Sequence, residues 1–271
     1  MDNQDINFDS RENNVSLSKE KEIFIPGGRA AGAGAATEWI GDAWQIFKAQ
    51  PMKWILMGLI YMGLLAVVQF LPFLGIFSML FGSVLVAGFI AAVQQQRATG
   101  DFDIGLLFYG FQNKLGSLVA VGGLTFGIYL LGVIAAVIVG GTSILQLILS
   151  AEDPDSALLL SSLSTLFFAF IILYAFMIVA LAFSWFAPAL IIINDLKFGE
   201  AVSMSLNAVK KNLFGGFIYF LLMGVIIFIS AIPLFLGFLI TMPMCMITVY
   251  TSYRSIFYAP KENERKSTLI S

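Results

Sequence analysis

The sequence predicts an all-α, polytopic membrane protein: six transmembrane helices with three short amphipathic interfacial helices between them. Three observations predict it. Apolar residues make up 59% of the 271 and charged residues 12%, against roughly 45–50% and about 25% in soluble domains. Apolar runs recur at lengths near the ~20 residues that a helix needs to cross ~30 Å of hydrocarbon. Finally, all 15 Lys and Arg residues can be placed on one face of a membrane, and Lys/Arg asymmetry in short loops sets orientation.

Residues 1–36 read as a disordered cytoplasmic tail followed by a small-residue linker. Met1 to Glu22 is polar and mixed in charge, without the apolar core of a signal peptide, and cannot bury enough apolar surface to offset ordering entropy. Pro26-Gly27-Gly28-Arg29 through Gly32, Gly34 and Ala36 reads as flexible. The membrane domain spans 37–258, and 259–271 forms a second cytoplasmic tail.

The first interfacial helix places Trp39, Ile40, Ala43, Trp44 and Phe47 on one face and Glu38, Asp42, Gln45 and Lys48 on the other. Such a helix lies along the headgroup boundary, apolar side down. Spans one (52–71) and two (73–94) follow, with Pro72 and Gly75 in the tight turn between them. The second interfacial segment gathers Ile104, Leu107, Phe108, Phe111 and Leu115, with Asp101 or Asp103 as N-cap. Span three covers 115–139, and the hydrophilic stretch Gly140–Ala157, with Glu152, Asp153 and Asp155, lies outside. Span four starts near Leu163 and runs on, kinked near Pro188, past Trp185. The third interfacial helix carries Val202, Leu206, Val209 and Leu213 opposite Glu200, Ser203, Asn207 and Lys211. Span five is 214–232; Pro233 turns the chain into span six, 234–253.

The basic residues then sort to one side. Arg11, Lys19, Lys21 and Arg29 precede the first helix; Lys48 and Lys53 lie before span one, and Arg97 and Lys114 between spans two and three. Lys197, Lys210 and Lys211 lie between spans four and five, and Arg254, Lys261, Arg265 and Lys266 follow span six. Both termini are therefore expected in the cytoplasm. Trp39, Trp44, Trp54 and Trp185, with Lys48, Lys210, Lys211 and Arg254, are the expected membrane-interface residues, since amphipathic rings favour that boundary.

Each amphipathic segment precedes a pair of spans, so the chain reads as three units beginning near 37, 101 and 195. Asp101-Phe-Asp-Ile-Gly105 resembles Asp195-Leu-Lys-Phe-Gly199 in spacing, and Leu71-Pro-Phe-Leu-Gly75 resembles Ile232-Pro-Leu-Phe-Leu-Gly237 with one insertion. Units that begin and end on one side would be parallel repeats about an axis along the membrane normal. The alternative is that each inner loop acquired its own anchoring helix.

The spans are chemically plain. No charged residue occurs at 55–96, 115–151, 156–194 or 212–253, where ionisable groups would mark ion or proton pathways. With no histidine and one cysteine, Cys245, no Ser/His/Asp set and no multi-cysteine metal site can form. The acidic trio at 152–155 lacks the turn glycine of a built calcium loop. No catalytic residue, cofactor or metal is expected. Gln69, Thr125, Tyr129, Tyr174, Ser184, Thr241, Thr248 and Tyr250 could bridge helices or line a pathway. Gly123-x-x-x-Gly127 fits close helix approach, in the bundle or between two copies.

Gly32-x-Gly34 followed by Trp39-Ile40-x-x-Ala43-Trp44-x-x-Phe47 and Pro51 resembles the opening segment of a family of uncharacterised six-span bacterial inner-membrane proteins. Trp185-Phe-Ala-Pro-Ala-Leu190, Glu200-Ala201, Ser205 and Lys211-Asn212 are similar to its central motif, and Ser252-Tyr-Arg-Ser-Ile-Phe257 to its closing one. The resemblance covers 27–258 and extends distantly to the membrane domain of some glycerophosphodiester phosphodiesterases. It implies a multi-pass protein of a bacterial cytoplasmic membrane and carries over no catalytic residues.

The expected function is non-enzymatic: organising membrane lipids, a protein partner or a homo-oligomer at the inner surface, with no nucleic acid involved. The alternative is a facilitative transporter or channel for a neutral or lipid-like solute, with a central cavity lined by Tyr129, Tyr174, Thr125 or Thr248.

Overall fold

A computed structural model describes residues 23–32, 34–70, 75–150 and 156–259. Among them the chain is all-α apart from one two-stranded pair, β1 (Ile23–Phe24) and β2 (Tyr258–Ala259), antiparallel, with Ile23 opposite Ala259. This pair ties the segment ahead of the first helix to the residues that follow the last.

Helix α1 (Ala35–Ala49) stops at Gln50, and Pro51 opens α2 (Pro51–Phe70). A proline lacks the N–H that would continue α1 but fits the first turn of the next helix. Helix α3 (Gly75–Thr99) ends at Gly100, whose φ of +82° suits a glycine after a helix. A 3-10 turn (Ile104–Phe108) and the one-turn α4 (Tyr109–Gln112) follow. Asp103 is the cap: its carboxylate accepts from the Gly105 N–H at 2.8 Å. Helices α5 (Leu115–Leu149), α6 (Ser156–Ser184), α7 (Ala187–Ile193), α8 (Phe198–Lys211), α9 (Leu213–Ala231) and α10 (Phe238–Phe257) complete the order. Pro188 sits in the first turn of α7, so the expected kink is a break between two helices at Trp185 and Phe186.

Among the described residues, five segments are long and apolar enough to cross a membrane: 51–68, 78–99, 115–149, 156–193 and 213–231. Helix α10 has the length but not the apolarity, because it carries Thr, Ser and Tyr side chains enclosed by its neighbours. A helix walled in by protein need not present hydrocarbon on every face.

Helix α5 is 35 residues long, about 52 Å at 1.5 Å per residue, and does not end near Val139. Residues 140–149, expected in an outer loop, are helical. Their small side chains pack the hairpin instead: a Cβ on Gly140 would lie 3.0 Å from the Ala169 Cβ, and Ser143 is buried. Likewise α6 begins at Ser156, ahead of the expected start. Glu152, Asp153, Asp155 and Pro72 lie outside the described residues, as do 1–22 and 260–271. The α3, α5 and α6 contacts use other glycines than those of the expected motif. A Cβ on Gly122 would lie 2.1 Å from the Leu80 carbonyl oxygen and one on Gly132 2.6 Å from the Phe176 Cβ, whereas Gly127 faces open space.

The amphipathic segments pack in cyclic order. Helix α1 lies along α10, the 3-10 turn and α4 lie on α3, and α8 lies on α6 and α7. Each therefore covers the second helix of the preceding hairpin. The second segment follows the axis of α3 instead of lying across it: Asp103 meets Gln95, Leu107 meets Gly88, and Gly110 meets Val84. A Cβ on Gly88 would sit 2.2 Å from the Leu107 carbonyl oxygen, and one on Gly110 2.4 Å from that of Val84. The core gathers beneath this layer around Trp54, Phe89, Leu190, Ile247, Tyr253 and Phe257, all fully buried.

Candidate functional site

The charged residues described, from Arg29 through Lys53, Asp101, Lys114 and Asp195 to Arg254, lie near helix ends, on the segments that join helices or, like Asp42, on amphipathic α1. Three lysines, at the starts of α2, α5 and α9, each hold a segment that leads into an amphipathic helix or turn. Lys53, in the first turn of α2, pairs with Asp101 at 2.5 Å, just ahead of the 3-10 turn. Lys114, preceding α5, pairs with Asp195, just ahead of α8. Lys211, preceding α9, donates to the carbonyls of Gly27 (3.1 Å) and Gly28 (2.8 Å), on the segment leading to α1. Each lysine thus holds the strand of chain that enters the next amphipathic segment. The hydrogen bond from Lys53, helped by the Phe102 N–H, holds the Asp101 carboxyl below its ordinary range.

The segment at 25–32, expected to be a flexible linker, is an ordered strap. Ile25 and Arg29 donate backbone N–H bonds to the carbonyls of Phe257 (2.8 Å) and Ile256 (2.9 Å). The Asn212 amide accepts from the Ala31 N–H at 2.7 Å and donates to the carbonyls of Arg29 and Ala208 at 2.9 Å. Gly27 and Gly28 adopt φ of +79° and +68°, and a Cβ on Gly28 would come within 2.8 Å of Ile256. Glycine here permits a fixed left-handed conformation and a close approach.

Buried polar groups tie the helices together from inside, most of them partnered as burial favours, although the buried Trp39 indole nitrogen has no hydrogen bond among the described residues. The Trp54 indole N–H donates to Gln96 Oε1 at 2.8 Å, and the Gln96 amide donates to the Ile46 carbonyl. Ser205 accepts from the Phe186 N–H and donates to the Ala182 carbonyl, stitching α8 across the break between α6 and α7. Thr251 donates to the Trp39 carbonyl, fixing α1 on α10. Asn194 joins the hydroxyls of Tyr253 and Tyr258, and Arg254 lies 4.2 Å over the Tyr258 ring.

The expected interface residues divide. Trp39 and Trp54 are 3% and 0% exposed and face protein, Trp39 against Tyr219 and Trp54 against Phe102 and Phe89. Trp185 is half-buried against Tyr219 and Phe220. Lys211 holds the strap, and Arg254 is half-buried over its ring. Trp44, Lys48 and Lys210 remain on the surface. Periodicity cannot tell a face that meets lipid from one that meets protein, and both tryptophans sit on apolar stripes. Gln96 and Asn194 emerge only from the fold, and Ser205 and Asn212, singled out in the sequence only within the central motif, gain their hydrogen-bonding roles there.

After these contacts, Lys48, Lys197 and Lys210 are exposed, and their side chains carry no ion pair or hydrogen bond among the described residues. Trp44 precedes Lys48 by four residues on α1, so both occupy one outer face. A cleft of about 400 Å³ lies beside Lys53, Gln95, Thr99, Asp101 and Asp103. Its polar groups answer one another: Gln95 accepts from the Asp103 N–H, and Thr99 donates to the Asp101 carbonyl. The proposed pathway residues do not converge there. Thr125 and Thr248 donate back to their own helices at Val121 and Met244, and Tyr174 is half exposed, stacked on Phe170.

Compared with known proteins, the chain matches no family model, no curated protein and no solved structure.

Proposed function

We propose that this is a six-span, non-enzymatic protein of a bacterial cytoplasmic membrane, with both termini cytoplasmic, that gathers anionic lipid at the inner surface. The observation carrying the reading is the division of labour among the lysines. Lys53, Lys114 and Lys211 are committed to internal contacts, while the side chains of Lys48, Lys197 and Lys210 are exposed and unpaired among the described residues. The exposed ring of Trp44 beside Lys48 suits the headgroup boundary.

In this reading α10 is the sixth span, enclosed by its neighbours, and the three units are parallel repeats. The cyclic order of amphipathic segments and the recurring lysine contacts support that reading. A basic residue near an anionic leaflet contributes about 1 kcal/mol, so three contribute roughly 3 kcal/mol before salt screening.

The test is lipid retention. Protein purified from mixed-lipid nanodiscs should retain phosphatidylglycerol over phosphatidylcholine, and K48E/K197E/K210E should lose that preference. Equal retention of the two lipids by both proteins would remove the proposal. A protein partner captured with the lipid preference absent would shift the reading to protein organisation.

A further inference from the structure

The spans hold one feature that the surface reading leaves unused. Between α2, α9 and α10 lies a crevice of about 390 Å³, walled by Met62, Leu65 and Ile227 and floored by Thr241, Met242 and Cys245. Its size falls in the range of small-molecule sites. The Thr241 hydroxyl is turned back to the Gly237 carbonyl at 3.2 Å, leaving an apolar lining.

Depth identifies the occupant. Cys245 precedes Arg254 by nine residues of α10 and Leu65 follows Lys53 by twelve of α2, about 13 and 18 Å from the charged layer at 1.5 Å per residue. That is near the middle of a hydrocarbon core about 30 Å thick. Leu59, Val67, Phe228 and Ile240 on the flanking helices are exposed, surfaces that hydrocarbon would cover. Helices α2 and α10 close on each other at Gly58 and Pro243, where an added Cβ would sit 3.3 Å from the proline ring. On α2 the crevice lies past this contact, at Met62 and Leu65, on the side of Gly58 away from Lys53. Met62 and Met242 give adaptable walls.

We infer that this crevice holds one acyl chain of a bilayer lipid, entering from the leaflet opposite the charged layer. The inference rests on α10 being the sixth span and is independent of headgroup binding by the lysines.

The full chain is reconstituted in phosphatidylcholine vesicles doped with a phospholipid bearing a mid-chain diazirine, irradiated and mapped by mass spectrometry. Adducts should concentrate several-fold on the peptide holding Met242 and Cys245 relative to the exposed α9 face at Leu221 and Val225. Cys245→Phe, and separately Leu65→Trp on the opposite wall, should abolish that enrichment while helical content is retained. Uniform labelling along the apolar belt, or enrichment indifferent to both folded variants, overturns the inference. Reaction of Cys245 with a membrane-impermeant maleimide separates the two layers of the argument. Protection of the thiol without enriched adducts removes the acyl-chain site alone; modification removes the six-span reading with it.

Discussion

The Lys211 ammonium donates to the Gly28 carbonyl at 2.8 Å across 183 residues of chain. The Lys53–Asp101 and Lys114–Asp195 pairs hold the two other amphipathic segments at their entries. Two of these contacts are ion pairs and the third is a bond to backbone carbonyls. The third therefore depends on a strap held in one conformation, which Asn212 and the two left-handed glycines supply.

Asn212→Ala should free that strap. Asn212 is buried, and its removal strips the Ala31 N–H and the Arg29 carbonyl of a partner, a loss of about 1–3 kcal/mol. Amide hydrogen exchange should accelerate across residues 25–32 and at Ile256–Phe257, with α5 and α6 unchanged. Unaltered protection of the strap would show that the backbone pairing suffices without the amide.

Gly88→Ala and Gly127→Ala should part in sign. The first drives a methyl into the Leu107 backbone, while the second meets open space. Overpacking costs about 1–3 kcal/mol or more when backbone must move, whereas alanine in an open helix gains up to about 1 kcal/mol of propensity. Thermal unfolding in detergent reads both; equal shifts would mean that the second segment does not press on α3.

The Lys53–Asp101 pair gives a pH signature. A carboxyl whose pKa is depressed on folding contributes stability that is present above the unfolded value and lost as pH falls through the folded one. The melting-temperature gap between wild type and Asp101→Asn should therefore hold steady above pH ~4 and close below it. A gap that persists at lower pH would mean that the loop's backbone bonds, such as Gln95 to Asp103, carry the stability alone.

The helical class was legible because apolar runs and punctuating prolines act locally. Pro51 separates α1 from α2, Pro188 opens α7, and Asp103 caps the 3-10 turn, each through its nearest neighbours. The absence of charge from the interiors of the long apolar helices is likewise plain in the residues themselves. What escaped depends on distance in sequence. Gly27-Gly28 is compatible with a flexible linker or a locked strap, and only Lys211, Asn212 and Ile256 decide between them. Gly140-Gly141-Thr142-Ser143 has the composition of a loop, yet its small side chains let α5 and α6 touch. Trp39 and Trp54 lie on apolar stripes, and only the fold shows that Tyr219 and Gln96 meet them. The expected interface positions therefore separate into Trp39 and Trp54, which neighbouring helices cover, and Trp44 and Lys48, whose face the described residues leave open.

The account's central claim is that the charged layer lies on one side of the membrane. Single cysteines at Lys48, Lys114, Lys197, Ser150 and Leu236, in a Cys245→Ala background, test it directly in bacterial cells expressing the protein. With a membrane-impermeant maleimide, the sites at Ser150 and Leu236 should label in intact spheroplasts, and the three lysine sites only after lysis. Labelling of any of the three lysine sites from outside would contradict the claim.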